Sequence, residues 1–180
     1  MRVPPPRSML MVAVVAGLLT AAATVRAEDA WHTMTASERS FTVELPAPPK
    51  YTRIELKTGA GAPYTMHQYM LDRGAIAYVV QTAVYPSEVT VTAPRVHLQG
   101  GLDSLAKNMQ GGRWEKIDWV THQGLQAVDA VGVRNNSAIR SFSVLKGRQV
   151  VTLMYAGPIG SAQSADVNRF LASLNLAPAP

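Results

Sequence analysis

The chain of 180 residues contains no cysteine, and its 17 Lys and Arg against 12 Asp and Glu give a formal net charge of +5. The absence of cysteine excludes iron–sulfur clusters, cysteine-based zinc fingers, thiol nucleophiles and disulfide bonds. The basic residues are scattered along the chain and do not form the concentrated face that binds phosphates, so we expect no nucleic-acid partner.

Residues 1–27 have the pattern of a secretory signal peptide. Arg2 and Arg7 give a basic start, and an uncharged apolar run follows over residues 9–23. This run is shorter than the roughly 20 residues that span a bilayer, and the small-residue pattern that ends at Ala27 predicts cleavage after that residue. Cleavage removes three arginines and no acidic residue, which leaves a net charge near +2. We therefore expect a periplasmic or secreted protein with no membrane anchor after cleavage.

The mature chain has the length of one ordinary domain. Residues 28–39 are predicted as a loose N-terminal lead-in, 40–176 as a single α+β domain and 177–180 as a frayed tail. The run "SFTVELP" alternates apolar and polar residues until its proline, which predicts a half-buried strand, and "YTRIELK" predicts a second one.

The strongest hairpin signal joins residues 64–71 to residues 75–85 through Asp72-Arg73-Gly74. Two registers are open. A three-residue loop, with Gly74 left-handed, pairs Leu71 with Ala75. Met66 and Met70 then face Val80 and Ile76, whereas a two-residue loop makes their partners Gln81 and Ala77.

The apolar period then changes from two to that of a helix. Residues near 94–110 carry an apolar helical stripe and end at two glycines, which predicts one helix. Four strand-like runs with three short turns follow and predict an antiparallel meander. A capping Ser164 begins a second predicted helix near 164–175. The fold class is therefore α+β: an α/β/α-type sandwich with a central antiparallel sheet of about six to seven strands.

Four stretches carry a family resemblance: "FTVELP", "GRWEKIDWVTHQGLQA", "RSFSVLKGRQVVTLMYAGP" and "NRFLASLNL". With the order of elements around them, they resemble the PsbP-like superfamily, which includes a photosystem lumenal extrinsic protein and a Ran-binding import factor. The resemblance implies an antiparallel sheet with helices against its faces, used as a binding or assembly module without catalysis. Members of the superfamily have unrelated partners, so the resemblance does not identify the partner of this chain.

Two stretches offer ligands for a soft metal such as copper. They are "MHQYM", with Met66, His67 and Met70, and "WHTM", with His32 and Met34. A helix would bring Met66, His67 and Met70 together, whereas a strand places the histidine and the methionines on opposite faces. Because the hairpin pattern favours the strand, we predict no metal site and no cofactor.

No catalytic set is evident in the sequence. Glu115 and Asp118, three apart on a predicted strand, should point to opposite faces, and so should Trp114 and Trp119, five apart. The segment around Ser161 lacks the second glycine of a nucleophile elbow.

Three functions remain open. The preferred one is an exported, non-catalytic binding or accessory module of the bacterial cell envelope, whose partner is an unknown envelope protein or small ligand. The second is a periplasmic carrier of a small apolar ligand or soft metal. The third is an unrecognised hydrolase, which would need Ser, His and a carboxylate to converge in a pocket.

Overall fold

The computed structural model describes residues 30–89, 91, 93–109 and 111–178. The predicted signal peptide and its cleavage after Ala27 lie outside these residues. The strands are β1 (His32–Thr35), β2 (Phe41–Leu45), β3 (Lys50–Lys57), β4 (Pro63–Asp72), β5 (Ala77–Val84), β6 (Arg113–His122), β7 (Leu125–Arg134), β8 (Ser137–Lys146), β9 (Gln149–Pro158) and β10 (Asn175–Leu176), and the helices are α1 (Pro94–Asn108) and α2 (Ala165–Ala172), with a 3-10 helix at Ser161–Gln163. Neither α1 nor α2 has the length and hydropathy of a membrane span.

The strands form two sheets. The larger has seven strands in the order β3-β4-β5-β9-β8-β7-β6, and every neighbouring pair is antiparallel. The smaller has the order β1-β2-β10. The predicted α+β class, the meander of β6 to β9 and the two helices are confirmed.

One face of the large sheet, the α2 face, carries the main core. Ser164 caps α2 by accepting a hydrogen bond from the backbone N–H of Val167 at 3.4 Å, and Val167, Phe170 and Leu171 of the helix are buried. They pack with the small sheet against the inward residues of β5, β8 and β9. Alternate residues of these strands point the other way.

The opposite face, the α1 face, carries a smaller core beneath α1. Leu98 and Leu102 of the helix pack against Val128 and Ala130 of β7 and Leu145 of β8. The predicted arrangement of helices on both faces is therefore present, and the small sheet adds a further layer beside α2.

Part of the predicted lead-in is ordered. His32–Thr35 form β1, which pairs with β2, and Met34 and Ala36 are buried in the main core. A strand of four residues is too short to show a clear alternation in the sequence, so the pattern suggested a loose segment. At the other end, Ala177 donates its N–H to the carbonyl of Ser40 at 2.9 Å, and residues 179–180 lie outside the described part.

Both predicted hairpin registers are wrong. Met66 pairs with Ala83, Met70 with Val79 and Asp72 with Ala77, so the loop has four residues. The N–H of Arg73 donates to the carbonyl of Ile76 at 2.8 Å, and the carboxylate of Asp72 accepts from the N–H of Gly74 at 2.8 Å. These hydrogen bonds stabilise the four-residue loop. Gly74 in this loop has the predicted left-handed conformation, with a φ of +76°.

The prediction that Trp114 and Trp119 face opposite sides is also wrong. Trp114 is opposite Gly132 and Lys116 is opposite Val131, so Glu115 is an extra residue in a β-bulge. The extra residue reverses the alternation between the two tryptophans, and both pack against the core beneath α1.

Candidate functional site

The β4–β5–β9 part of the α1 face borders an open groove. α1 packs on β7 and β8, and the groove runs along the helix on the side of β4 and β5. Its volume is about 460 Å³, within the range of small-molecule sites. Its lining comprises Tyr64, Met66, Gln81, Ala83, Tyr85, Val96, His97, Leu98, Gly100, Gly101, Ser104, Leu105, Asn108, Ser143, Val150 and Thr152.

A row of polar side chains crosses the sheet, and three of its four members line the floor of the groove. We call it the polar row: Gln68, Gln81, Thr152 and Ser143, which are direct cross-strand partners on β4, β5, β9 and β8. The amide of Gln81 donates to that of Gln68 at 2.7 Å, and the hydroxyls of Ser143 and Thr152 are 2.9 Å apart. These bonds use part of the donor and acceptor capacity of the row.

Apolar residues lie on both sides of the polar row. On one side are Met66, Ala83, Val150 and Leu145, again in cross-strand register. On the other side, Met70, Val79 and Met154 lead to a second cavity.

This second cavity, the apolar pocket, has a volume of about 180 Å³ and lies under the C-terminal half of α1. It is lined by Val79, Leu105, Met109, Trp114, Ile139, Met154, Tyr155 and Ala156. Leu105 lines both the groove and the apolar pocket. The two cavities are therefore neighbours, separated in part by one flexible side chain.

Helix α1 and two tyrosines form the walls of the groove. Ring centroids of Tyr64 and Tyr85 are 6.3 Å apart, and those of Tyr85 and His97 are 5.9 Å apart. Burial, and secondarily the neighbouring Tyr64, raises the pKa of Tyr85, so its phenol stays neutral over a wide pH range. The helix contributes Gly100 and Gly101, where an added Cβ would meet nothing within 4 Å.

One buried polar atom of the α1 face has no partner. The Oγ atom of Ser141 is buried and makes no hydrogen bond within the described part of the chain. Ser141 lies opposite Met154, on the same face as Ser143 of the polar row. Unpaired buried hydroxyls are uncommon, because each costs about 1–3 kcal/mol.

The residues of the candidate copper site "MHQYM" are divided by the sheet. Met66 and Met70 lie on the α1 face, whereas His67 lies on the α2 side. The Nδ1 atom of His67 is 2.8 Å from the hydroxyl of Tyr51, and its ring lines a separate shallow depression with Glu38. The strand conformation that separates the histidine from the methionines is confirmed.

The second candidate pair lies in the small sheet. His32 and Met34 are both in β1, and Met34 is 5% exposed within the main core. Among the described residues, no three His, Asp or Glu side chains form a group able to hold a metal ion.

The two carboxylates considered for acid–base chemistry each form an ion pair with a basic side chain on the surface. Glu115 lies 3.1 Å from Arg113, and Asp118 lies 2.6 Å from Lys116. These pairs belong to β6, an edge strand.

Sequence reasoning allowed a groove between sheet and helix but did not identify its residues. Two signals were present: Gln68 and Gln81 interrupt two otherwise apolar alternations, and Gly100-Gly101 interrupts the predicted helix. Bringing these signals together required the correct hairpin register, which places Gln68 opposite Gln81.

No protein-family profile and no curated protein matches this chain. A solved structure, cyanobacterial PsbP from Synechocystis sp. PCC 6803, has 10% sequence identity and a TM-score of 0.55 over 89% of this chain and all of that one. A protein of unknown function from Pseudomonas aeruginosa has 12% identity and a TM-score of 0.44 over 83% of this chain and 98% of that one. The first similarity shows the fold: the chain has a PsbP-like fold.

Proposed function

We propose that the chain is an exported, non-catalytic binding module of the bacterial cell envelope, and that it binds through the groove beside α1. The observation that supports binding is the partly covered α1 face, with a polar row between apolar rows. Export rests on the pattern of residues 1–27.

The edges of the large sheet are poor binding surfaces by comparison. β3 carries Lys50, Arg53, Glu55 and Lys57, and β6 carries two exposed ion pairs and the bulge at Glu115. Charges and bulges on edge strands prevent pairing with a strand of another chain. A face, rather than an edge, is therefore the favoured contact.

The groove does not favour hydrolysis. It contains Ser104, Ser143 and His97, but none of its described lining residues is a carboxylate. A serine nucleophile needs a base that is oriented by a third group, and a carboxylate is the usual one. The hydroxyl of Ser161 instead donates to the carbonyl of Pro158 at 2.6 Å and lies 2.7 Å from the hydroxyl of Tyr155.

Export is tested by the mass of the processed protein. We expect the full chain, expressed in a Gram-negative host, to appear in the periplasm with Glu28 as its first residue. A substitution of Ala27→Arg should block processing, because the cleavage site requires a small residue there. Recovery of the unprocessed wild-type chain from the cytoplasm would contradict export.

Binding is tested by amide hydrogen exchange of the exported protein with and without envelope extract, separated into macromolecular and small-molecule fractions. We expect slower exchange in β4, β5 and α1, because a bound partner covers their face. The variant Ser104→Arg, which adds a charge to the groove wall, should lose this protection. Protection limited to α2 or to the small sheet would place the contact elsewhere.

The second candidate function is that of a carrier for a small apolar ligand. It is favoured by the groove and the adjacent apolar pocket, which together can enclose a small molecule. Native mass spectrometry of protein purified without added ligands distinguishes the two: a retained small molecule supports the carrier, and a clean apo mass supports recognition of a macromolecule.

A further inference from the structure

We propose that the groove and the apolar pocket together bind an uncharged amphiphile: a small molecule in which an apolar ring or branched aliphatic group is joined to an amide or hydroxyl group. The proposal rests on the proposed binding function and names the class of ligand that the groove takes.

The ligand is uncharged because the described lining of the groove holds no permanently charged side chain, and its one imidazole is that of His97. None of its described lining residues is Asp, Glu, Lys or Arg. Arg95 and Asp103 of α1 line an adjoining depression, which shares Val96 and Gly100 with the groove, and neither charged residue is among the described lining residues of the groove itself. A charged group taken into the groove would lose its hydration without gaining an ion pair, which is costly.

The ligand carries a hydrogen-bonding group because the polar row has spare capacity of both kinds. Gln81 uses one N–H of its amide in its bond to Gln68, and Thr152 and Ser143 share one bond between two hydroxyls. The amides and hydroxyls therefore retain free donors and acceptors. An amide or hydroxyl of the ligand can both donate to and accept from such a row.

The apolar part of the ligand fits the neighbouring pocket. Its volume of about 180 Å³ exceeds the roughly 150 Å³ of an apolar cavity that binds benzene. Leu105, Met109 and Met154 are unbranched at Cβ and can adjust to the shape of a ring, and Trp114 offers an aromatic surface.

The two glycines of α1 are explained by a ligand and not by packing. A Cβ at Gly100 or Gly101 would touch no described atom within 4 Å, so the fold itself has space for alanine at both positions. Each glycine makes a helix interior less stable than alanine would. Glycine lets the helix backbone approach a bound molecule closely, which compensates for that cost.

The unpaired hydroxyl of Ser141 is a second, independent indication of a bound ligand. It is fully buried on the α1 face, opposite Met154 of the apolar pocket, although it is not itself among the described lining residues of either cavity. A hydrogen-bonding group of the ligand would pair with this hydroxyl once Met154, its cross-strand neighbour, reorients.

The test uses two dyes that share one ring system. N-phenyl-1-naphthylamine is neutral and carries one N–H donor, and 8-anilinonaphthalene-1-sulfonate adds a sulfonate. We expect the exported protein to bind the neutral dye at one site, with at least tenfold higher affinity than the sulfonated dye, measured by fluorescence titration. Equal affinities, or a higher affinity for the sulfonated dye, would contradict the proposal that the ligand is uncharged.

Two variants locate the site. Gly101→Leu fills the groove, and we expect at least tenfold weaker binding of the neutral dye with an equal or higher melting temperature. Lys107→Leu adds the same side chain at an exposed position of α1 outside the groove lining, and should change the affinity less than twofold. Unchanged binding by a folded Gly101→Leu protein would place the dye elsewhere and overturn the site.

A third variant tests the polar row. Gln81→Met keeps the length of the side chain and removes its amide, so we expect several-fold weaker binding of the neutral dye. Unchanged affinity would exclude the polar row from recognition. If these dye experiments fail but envelope extract still protects β4, β5 and α1, the proposed binding module stands and the amphiphilic ligand is contradicted. The two proposals can therefore be tested separately.

Discussion

The two faces of the large sheet are covered in different ways. The α2 face lies under a helix and a second sheet, and its central side chains, such as Val80, Leu153 and Tyr155, are at most 2% exposed. The α1 face lies under one helix that packs on β7 and β8, and Met70 at its other side is 37% exposed. The same strands supply both faces.

The polar row accounts for this difference. On the α2 face the apolar side chains of β5, β8 and β9 form one continuous cluster, which gains most from complete cover. On the α1 face Gln68, Gln81, Thr152 and Ser143 divide the apolar residues into two groups. Complete cover would bury amides and hydroxyls whose hydrogen-bonding capacity is only partly used. An open groove leaves that capacity available to water or a ligand.

The largest expected effect distinguishes the two cores. Phe170→Ala removes a fully buried ring from the α2 face and should lower the free energy of unfolding by about 3–5 kcal/mol. Leu102→Ala in the smaller core should cost less, about 2–3 kcal/mol, because the open groove beside it lets neighbours or water relax into the space. Urea unfolding of both variants measures the difference. A larger loss for Leu102→Ala would mean that α1, and not α2, covers the dominant core.

A second prediction concerns the ion pair that fixes the α2 side. Arg140 donates to Asp129 through Nε at 3.0 Å and Nη2 at 2.7 Å, and through Nη1 to Asn168 at 2.7 Å. Arg140→Met leaves a mostly buried carboxylate unpaired, so we expect a loss of about 2–3 kcal/mol in urea unfolding. The control Arg53→Met breaks the exposed pair with Glu55 and should cost under about 1 kcal/mol. Equal effects would show that Arg140 contributes little beyond a surface pair.

The sequence predicted the elements of the fold well and their pairing less well. Alternation at Phe41, Val43 and Leu45 and the cap at Ser164 act locally, so the strand and helix that they predict are present. The hairpin register depended on whether Asp72 bonds to Gly74 across a wider loop, which residue types alone do not settle. The face of Trp119 depended on one extra residue at Glu115, and a bulge leaves the amino-acid pattern unchanged while it reverses every later side chain.

The site was less predictable than the fold. Its polar row takes one residue from each of four strands, so it exists only when three registers are correct at once. The metal candidates were adjacent in sequence and therefore easy to notice, yet the strand places His67 on one face and Met66 and Met70 on the other.

A third prediction uses a tyrosine of the closed α2 face. Burial, with a smaller contribution from the carboxylate of Asp166, raises the pKa of Tyr78 to about 12 from the ordinary 10.0. The folded state favours the neutral phenol. The contribution of Tyr78 to the free energy of unfolding is therefore fully present below pH 10 and is lost as the pH rises from 10 towards 12. We expect Tyr78→Phe to move the alkaline unfolding midpoint, followed by circular dichroism, to higher pH. An unchanged midpoint would mean that another group controls alkaline unfolding.

The smallest expected effect tests the open face directly. Gly100→Ala adds a methyl group to α1 where no described atom lies within 4 Å, so we expect an increase of about 0.5–1 kcal/mol in the free energy of unfolding, from helix propensity alone. Gly132→Ala is the contrasting variant on the same face beneath the helix, since its Cβ would overlap the backbone carbonyl of Arg113 and lie 2.9 Å from Cε3 of Trp114, and it should destabilise the protein. Thermal unfolding of both variants shows whether the glycines of α1 border open space or are already packed in the free protein. Destabilisation by Gly100→Ala would mean that the groove wall is already packed in the free protein, and the α1 face would then be as closed as the α2 face.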